Sequence, residues 1–230
     1  MRVATWNVEW ADPDTSRGSR ARAALASLEA SIIVLTEGCR ELLPPGNTTD
    51  GGSDWGYPLT DKRRRKVILW SKHPVTDLEY PLSGEFPSGR LVVARVGDPS
   101  MRITVVAVCI PWRDAHVRTG RKNRKPWEDH LTFIQALTEI LPTLEMPLIV
   151  AGDFNQRIPR GNQPNNVSSA LSVALEGLNV ATDLPLHHPL IDHIALSKDL
   201  AHSAVEIIPD SDELGRLSDH RGAVTDVFAR

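Results

Sequence analysis

The chain is short of cysteine, and its two cysteines, Cys39 and Cys109, stand in no Cys-x-x-Cys or Cys/His zinc spacing. That excludes a disulfide scaffold and leads us to expect reduced thiols in a cytosolic protein. Long hydrophobic runs are missing too. No stretch approaches the roughly 20 apolar residues that a membrane helix requires. The first apolar segment, RVATWNVEW, alternates like a strand and does not read as a leader, so a soluble, cytoplasmic protein is expected. Charge of one sign is also lacking. A net charge of −3 over 230 residues is not that of a polycation built to coat nucleic acid, so any such binding needs a local patch. No repeat of fixed period and no linker divides the chain, which reads as one domain over residues 1–230 and as a monomer.

What is present is ordinary globular chemistry, with 41% hydrophobic and 24% charged residues, which argues against disorder. Strand-like runs recur at Arg2–Val8, Ser31–Leu35, Lys66–Trp70, Leu91–Val96, Ile103–Cys109, Pro147–Ala151, Leu190–Leu196, Ala204–Ile207 and Ala223–Phe228. Helical spacing predicts helices over Ser16–Ala30, Trp127–Leu141 and Val167–Leu175. Many strands with few helices, in no regular alternation, predict a sheet-on-sheet core flanked by helices. The turn-rich segment Gly38–Lys62 reads as a mobile loop.

Five strand ends carry polar residues. LIVAGDFNQR runs four apolar residues into Asp153 and Asn155. An extended RVATWNVEW puts Asn7 and Glu9 on one face with Thr5. SIIVLTEG ends on Glu37, LIDHIAL holds Asp192 and His193, and GRLSDHRG sets Asp219 and His220 before the last strand. Each has a structural alternative: a turn former, an Asx turn, a satisfied core histidine. Asp192 resists that reading, because a carboxylate inside an apolar strand needs a partner if buried. If the five ends converge at one rim, they form a cluster of oxygen donors with one or two imidazoles. Such a cluster suits Mg²⁺ or Mn²⁺ better than zinc, and without a cation the acids would raise one another's pKa values.

TWNVEW, LTEG, GDFN, IDHI and SDHRG, in that order, resemble the signature of the endonuclease/exonuclease/phosphatase superfamily, which includes abasic-site endonucleases, pancreatic-type deoxyribonucleases and inositol-phosphate 5-phosphatases. The likeness runs from residue 2 to about residue 226. It implies an α/β fold, a four-layer α-β-β-α sandwich of two mostly antiparallel sheets with flanking helices. It also implies roles. Glu37 matches the principal metal-binding glutamate, with Glu9 and Asp219 as further acids near the metal. Asp153 matches the aspartate that orders or deprotonates the attacking water, and Asn7 and Asn155 match the amides that hold the phosphate. Asp192 matches the acid paired with the catalytic histidine, His220. Cys109 departs from the pattern, since many relatives place a phosphate-touching Tyr or His there; His116, Arg113 or another loop residue would then have to substitute.

The reaction these residues would support is in-line attack of water on phosphorus. For the substrate, two basic loops stand out: 61–66, DKRRRK, and 111–126, PWRDAHVRTGRKNRKP. Arg63, Arg64, Arg65, Arg113, Arg121 and Lys122 would form walls for a nucleic acid backbone, with Trp55, Trp112 and Trp127 near enough to stack on bases. Structurally, Trp112 and Trp127 read instead as a core cap and a helix anchor. A nuclease is therefore the first reading. A phosphatase or phosphodiesterase acting on a small or lipid phosphoester is the second, and a non-catalytic binding module the third.

Overall fold

The computed structural model describes residues 1–79, 88–98, 101–184 and 189–230. Strand β1 (Arg2–Asn7) leads through helix α1 (Ser16–Ser27) to β2 (Ile32–Gly38), followed by β3 (Asn47–Asp50), β4 (Arg65–Ser71) and β5 (Val75–Asp77). Next come β6 (Leu91–Asp98), β7 (Met101–Cys109), α2 (Glu128–Ile140) and β8 (Leu148–Asp153). Helix α3 (Asn165–Ala174) and β9 (Leu178–Val180) precede β10 (Asp192–Ser197). The chain finishes with β11 (Leu200–His202), β12 (Glu206–Ile208), the small hairpin of β13 (Ser211–Asp212) and β14 (Gly215–Arg216), and β15 (Gly222–Ala229).

Two sheets result. One runs β11-β15-β1-β2-β4-β3, with β12 also on β15; the other runs β5-β6-β7-β8-β10-β9. Within these two sheets the pairings are antiparallel except two, β1 with β2 and β7 with β8. Each parallel pair is bridged by a helix, α1 or α2, as a parallel connection requires. The layers follow from alternation along the strands. Val3, Val34 and Leu69 of the first sheet meet Ala94, Val105 and Ile149 of the second in a core between the sheets. The opposite face of the first sheet, with Trp6, Leu35 and Trp70, is covered by Ala21 and Leu25 of α1. Val93, Val106 and Val150 of the second sheet lie under Phe133 and Leu137 of α2 and Leu171 of α3. The expected α-β-β-α sandwich is the architecture of the chain.

Local chemistry sets the boundaries. Thr15 caps α1 by accepting a hydrogen bond from the Gly18 amide. The helix stops at Ser27, three residues short of the span predicted to end at Ala30, and Glu29 turns to a left-handed φ of 50°. The segment Gly38–Lys62, expected as a mobile loop, holds a 3-10 turn at Arg40–Leu42 and strand β3, which pairs with β4 from Asn47↔Ser71 to Asp50↔Ile68. That strand is polar and edge-lying, so no apolar alternation marked it in the sequence.

Gly152 is the tight point of the second sheet. Its φ is +141°, and a Cβ there would stand 1.9 Å from the Val108 carbonyl oxygen on the neighbouring strand. Gly152→Ala should therefore cost ~2–4 kcal/mol, read as a lowered Tm and denaturation midpoint. An unchanged Tm would refute the tight approach of β7 and β8.

Candidate active site

The same alternation that builds the core delivers polar groups to its rim. Asn7 follows Val3 and Thr5 on the inner face of β1, Asp153 follows Ile149 and Ala151 in β8, and Cys109 follows Val105 and Ala107 in β7. Asn7, Glu37, Cys109 and Asp153 all lie at or near the C-terminal ends of the two parallel pairs. Asp192 opens the antiparallel β10 opposite Asp153, so it arrives at the same rim. His220 sits just before β15, which runs antiparallel to β1.

Asp153 is the common node. Its Oδ2 accepts from Asn7 Nδ2 at 3.0 Å and from Asn155 Nδ2 at 2.9 Å, and its Oδ1 accepts from the Asn155 amide at 2.9 Å. Asn155 reaches this position through a turn with φ 50°, not as an extended strand, and also donates to the Ile110 carbonyl at 2.9 Å. The carboxyl is only 1% exposed. Burial pushes its pKa up to about 7, helped by the Asp192 and Glu37 charges and opposed by His220. A carboxylate held there is poised to take a proton at neutral pH.

His220 Nδ1 lies 2.6 Å from Asp192 Oδ2, and Asp192 is fully buried. Burial pulls the imidazolium down, but the Asp192 and Asp153 carboxylates outweigh it and hold the pKa up at about 10. His220 is therefore a cation at neutral pH, donating to Asp192 from Nδ1. His193, the neighbour of Asp192, is a satisfied core histidine: its ring contacts Thr182 Oγ1 and the Gln156 carbonyl, and burial lowers its pKa to about 4.

Glu37 stands between the Thr36↔Val67 and Gly38↔Arg65 pairs of β2 and β4, opposite Lys66. Its φ of 50° is uncommon for a residue other than glycine. A carboxylate oxygen of Glu37, the Cys109 sulfur and an Asp153 carboxylate oxygen lie within 4.8 Å of one another. Lys66 Nζ bonds Glu37 Oε1, while Oε2 has no hydrogen-bond partner among the described residues.

Other expected site residues are elsewhere. Glu9 does not share a face with Asn7. The strand ends at Asn7, Glu9 adopts φ 47°, and its carboxylate is taken by Arg17 and Arg216. Asp219 stays half exposed at the mouth, its Oδ1 3.7 Å from His220 Nε2. Arg63 is tied to Asp61, Asp14 and Asp12, Arg65 to Asp50, and Arg121 faces Asp129 at 3.7 Å. Arg113 is exposed beside Asp114, and Lys122 is exposed with φ 55°. Arg64 lies over the Trp10 ring at 5.1 Å. Of the two named substitutes for the donor missing at Cys109, His116 is buried and stacked on Tyr57 at 4.2 Å, and Arg113 is exposed.

Two cations were not foreseen as site residues. Lys66 was only the end of a basic stretch. Arg90 is 2% exposed and donates to the carbonyls of Trp55 and Cys109, both at 3.2 Å. An arginine ahead of a strand is too common for the sequence to flag it. Cys109 itself is buried, and burial pushes its thiol up to about 12, so at neutral pH it is a protonated thiol and not a nucleophile.

The donor set fits a hard divalent cation. Glu37 and Asp153 supply carboxylate oxygens, and Asp192 Oδ1 is buried with no hydrogen-bond partner. Asp153 holds its proton unusually tightly because it is buried and faces the Asp192 and Glu37 charges, a state that a bound cation would relieve.

The sequence model described as the Endonuclease/Exonuclease/phosphatase family matches residues 4–220. A search of curated protein sequences found no match. Among solved structures, an AP endonuclease from Archaeoglobus fulgidus superposes with a TM-score of 0.70 at 16% identity, covering 98% of each chain. A 3′ phosphatase from Neisseria, bound to a product DNA hairpin, gives 0.69 at 19% identity, also over 98% of each chain. An endonuclease/exonuclease/phosphatase from Beutenbergia cavernae gives 0.66 at 18%, over 100% of this chain and 71% of the other. At these identities the likeness is one of fold.

The His220–Asp192 pair yields a test. In Asp192→Asn the strongest of the three carboxylates holding the imidazolium, with Asp153 and Asp219 remaining, is gone and burial gains, so the His220 pKa should fall by roughly 1–3 pH units, read by NMR titration. In the native protein the raised pKa contributes stability that is full below about pH 6.5 and lost as pH rises through about 10. The variant should lose that alkaline dependence. An imidazole titrating alike in both proteins would refute the pairing.

Proposed function

The chain belongs to the Endonuclease/Exonuclease/phosphatase family of metal-dependent phosphoesterases, and from that premise we propose that it is a nuclease, hydrolysing phosphodiester bonds of nucleic acid with Mg²⁺ or Mn²⁺. The observation that carries this reading is the convergence of Asn7, Glu37, Asp153, Asp192 and His220 from separate elements on one buried carboxylate.

Each residue then has a task. Asp153, near neutrality in its proton affinity, orders the attacking water and accepts its proton. Asn155, with both amide hydrogens spent on Asp153 and the Ile110 carbonyl, holds the carboxylate in place, and Asn7, with one hydrogen spent on Asp153, offers the other to the phosphate. His220, charged and turned by Asp192, donates to a non-bridging oxygen where negative charge grows. Glu37 and Asp153 would hold the cation. When bound, it supplies charge neutralisation to the phosphate and the leaving oxygen. Lys66 shares Glu37 with it and adds a second positive charge to the same edge.

Arg64 and Lys122 have no carboxylate partner among the described residues, and Arg113, 3.7 Å from Asp114, is largely exposed; these three are the candidates for backbone contacts. The structural neighbours include an AP endonuclease and a DNA-bound 3′ phosphatase, which favours nucleic acid by analogy. The second reading, a small phosphoester, is favoured by one observation: Arg63, Arg65 and Arg121 are occupied by acids, which thins the expected basic walls.

Cleavage of single-stranded and duplex DNA, an abasic duplex, RNA and an inositol polyphosphate should be measured with Mg²⁺, Mn²⁺ and chelator. Cation-dependent cutting of an oligonucleotide, reduced roughly 10²–10⁴-fold in Asp153→Asn, is the expected result. Turnover of the inositol phosphate alone would replace the nuclease reading with the second one. Cation binding should also depend on pH. Because the Asp153 pKa is raised, a proton competes with the cation below about pH 7. Mg²⁺ affinity should therefore climb as pH rises through neutrality, with proton release seen by calorimetry. A flat profile between pH 5 and about 8 would remove Asp153 from the cation site.

A further inference from the structure

Two clefts reach the catalytic groups, one through His220 and the other through Lys66, the partner of Glu37. One, of about 500 Å³, is polar and has His220, Asp219 and Arg157 on its walls. The other, of about 240 Å³, is aromatic, and nothing assigned so far explains it. Trp10, Trp55, Tyr57 and Trp112 line it. Trp10 and Trp55 are tilted together with centroids 5.7 Å apart. Trp112 is 45% exposed and has no ring partner among the described residues. A large indole left open to water at the lip of an active site is a surface awaiting a ring.

The rest of the lining gives the ring its chemistry. No carboxylate is among the residues that border this cleft, whereas Arg64, Lys66 and Arg90 are. Lys66 is matched by Glu37. Arg64 and Arg90 have no acidic partner among the described residues: Arg64 donates to Thr60 Oγ1 at 3.2 Å, and Arg90 donates only to carbonyls. The cleft is thus positively charged and attracts an anion. Thr60 and Thr119 add hydroxyls, which suit the polar edge of a heterocycle and have no use for a plain hydrocarbon ring.

Position ties the cleft to the reaction. Arg90 holds the carbonyl of Cys109, and Cys109 pairs with Asp153 across β7 and β8. Lys66, on another wall, holds Glu37. A ligand whose ring fills this space therefore carries its phosphate toward Asp153. The volume holds one base and is too small for a base pair.

We propose that this aromatic cleft seats a single unpaired nucleobase, belonging to the nucleotide next to the scissile phosphate. The enzyme then selects strand ends and single-stranded stretches, where a base is free to leave its stack. The proposal rests on the nucleic-acid reading above and narrows it. It makes Trp112 and Arg90 specificity residues, the open indole gripping the base by stacking and the guanidinium fixing the phosphate side, while Trp10, already under Arg64 and Lys66, shapes the wall.

The test is a calorimetric titration of the intact protein in EDTA, so that nothing is cleaved, with three probes: adenosine 5′-monophosphate, ribose 5-phosphate and phenyl phosphate. Adenosine 5′-monophosphate should bind roughly tenfold or more tighter than ribose 5-phosphate, and tighter than phenyl phosphate. Trp112→Ala should erase that preference, and Trp112→Phe should keep most of it. Because Trp112 is exposed, neither variant threatens the fold. Equal binding of adenosine 5′-monophosphate and ribose 5-phosphate, equal binding of phenyl phosphate, no binding of any probe, or a preference that survives Trp112→Ala would each overturn the proposal. Oligonucleotide cleavage separates this failure from that of the nuclease reading. Cutting without base preference retires the cleft alone; base preference in a protein that cuts no oligonucleotide retires the nuclease alone.

Discussion

Two hydrogen bonds tie the halves of the molecule together at the point where it works, Asn7 Nδ2 on the first sheet to Asp153 Oδ2 on the second at 3.0 Å and His220 Nδ1 to Asp192 Oδ2 at 2.6 Å, and the first of them is the constraint on the rest. A buried carboxylate is tolerated only when its oxygens are satisfied, and those of Asp153 are met by Asn7 and Asn155, with His220 supplying charge nearby. Remove this junction and the rim has a stranded charge at the seam of the sandwich. The geometry of the remaining groups is built outward from it.

The two halves answer each other. In each sheet a parallel pair is bridged by a helix lying on the outer face, β1-α1-β2 in one and β7-α2-β8 in the other. Both pairs end at the same rim, and both ends carry the chemistry: Asn7 and Glu37 from the first, Cys109 and Asp153 from the second. The antiparallel strands contribute residues at their beginnings, as Asp192 does, or just ahead of them, as His220 does. Ligand-binding groups collect where parallel strands end because the chain there leaves the sheet with unpaired backbone and freedom to turn. Glu37 and Asn155, both near φ 50°, use that freedom.

Much of this was legible in the sequence because it was written in alternation. A polar residue at the end of an apolar run, as in IIVLTEG or LIVAGD, marks both a strand and its functional end, and five such breaks could be read together. What was not legible depended on turns and on charge pairing over long separations. Glu9 continues the alternation of β1 on paper, yet the backbone turns at Asn7 and hands it to Arg17 and Arg216. Arg65 reads as a free basic group because Asp50, which neutralises it, lies 15 residues away; Arg63 is held both by Asp61, two residues before it, and by Asp14, 49 residues away. Arg90 has no local pattern at all; its meaning comes from the carbonyls it meets after folding. Trp112, taken from the sequence as a core cap, is instead open at the rim.

The last strand has a consequence for how such a protein comes into being. β15 lies inside the first sheet, between β11 and β1, and His220 immediately precedes it. Synthesis proceeds from the other end, so Asn7, Glu37, Asp153 and Asp192 all emerge before the strand that lets β1 close on its partner. The rim is therefore incomplete throughout elongation and is finished in a late, long-range step, the kind that folds slowly because its contacts span the chain. Until residue 220 has been made, the buried Asp192 carboxylate has no imidazolium to pair with.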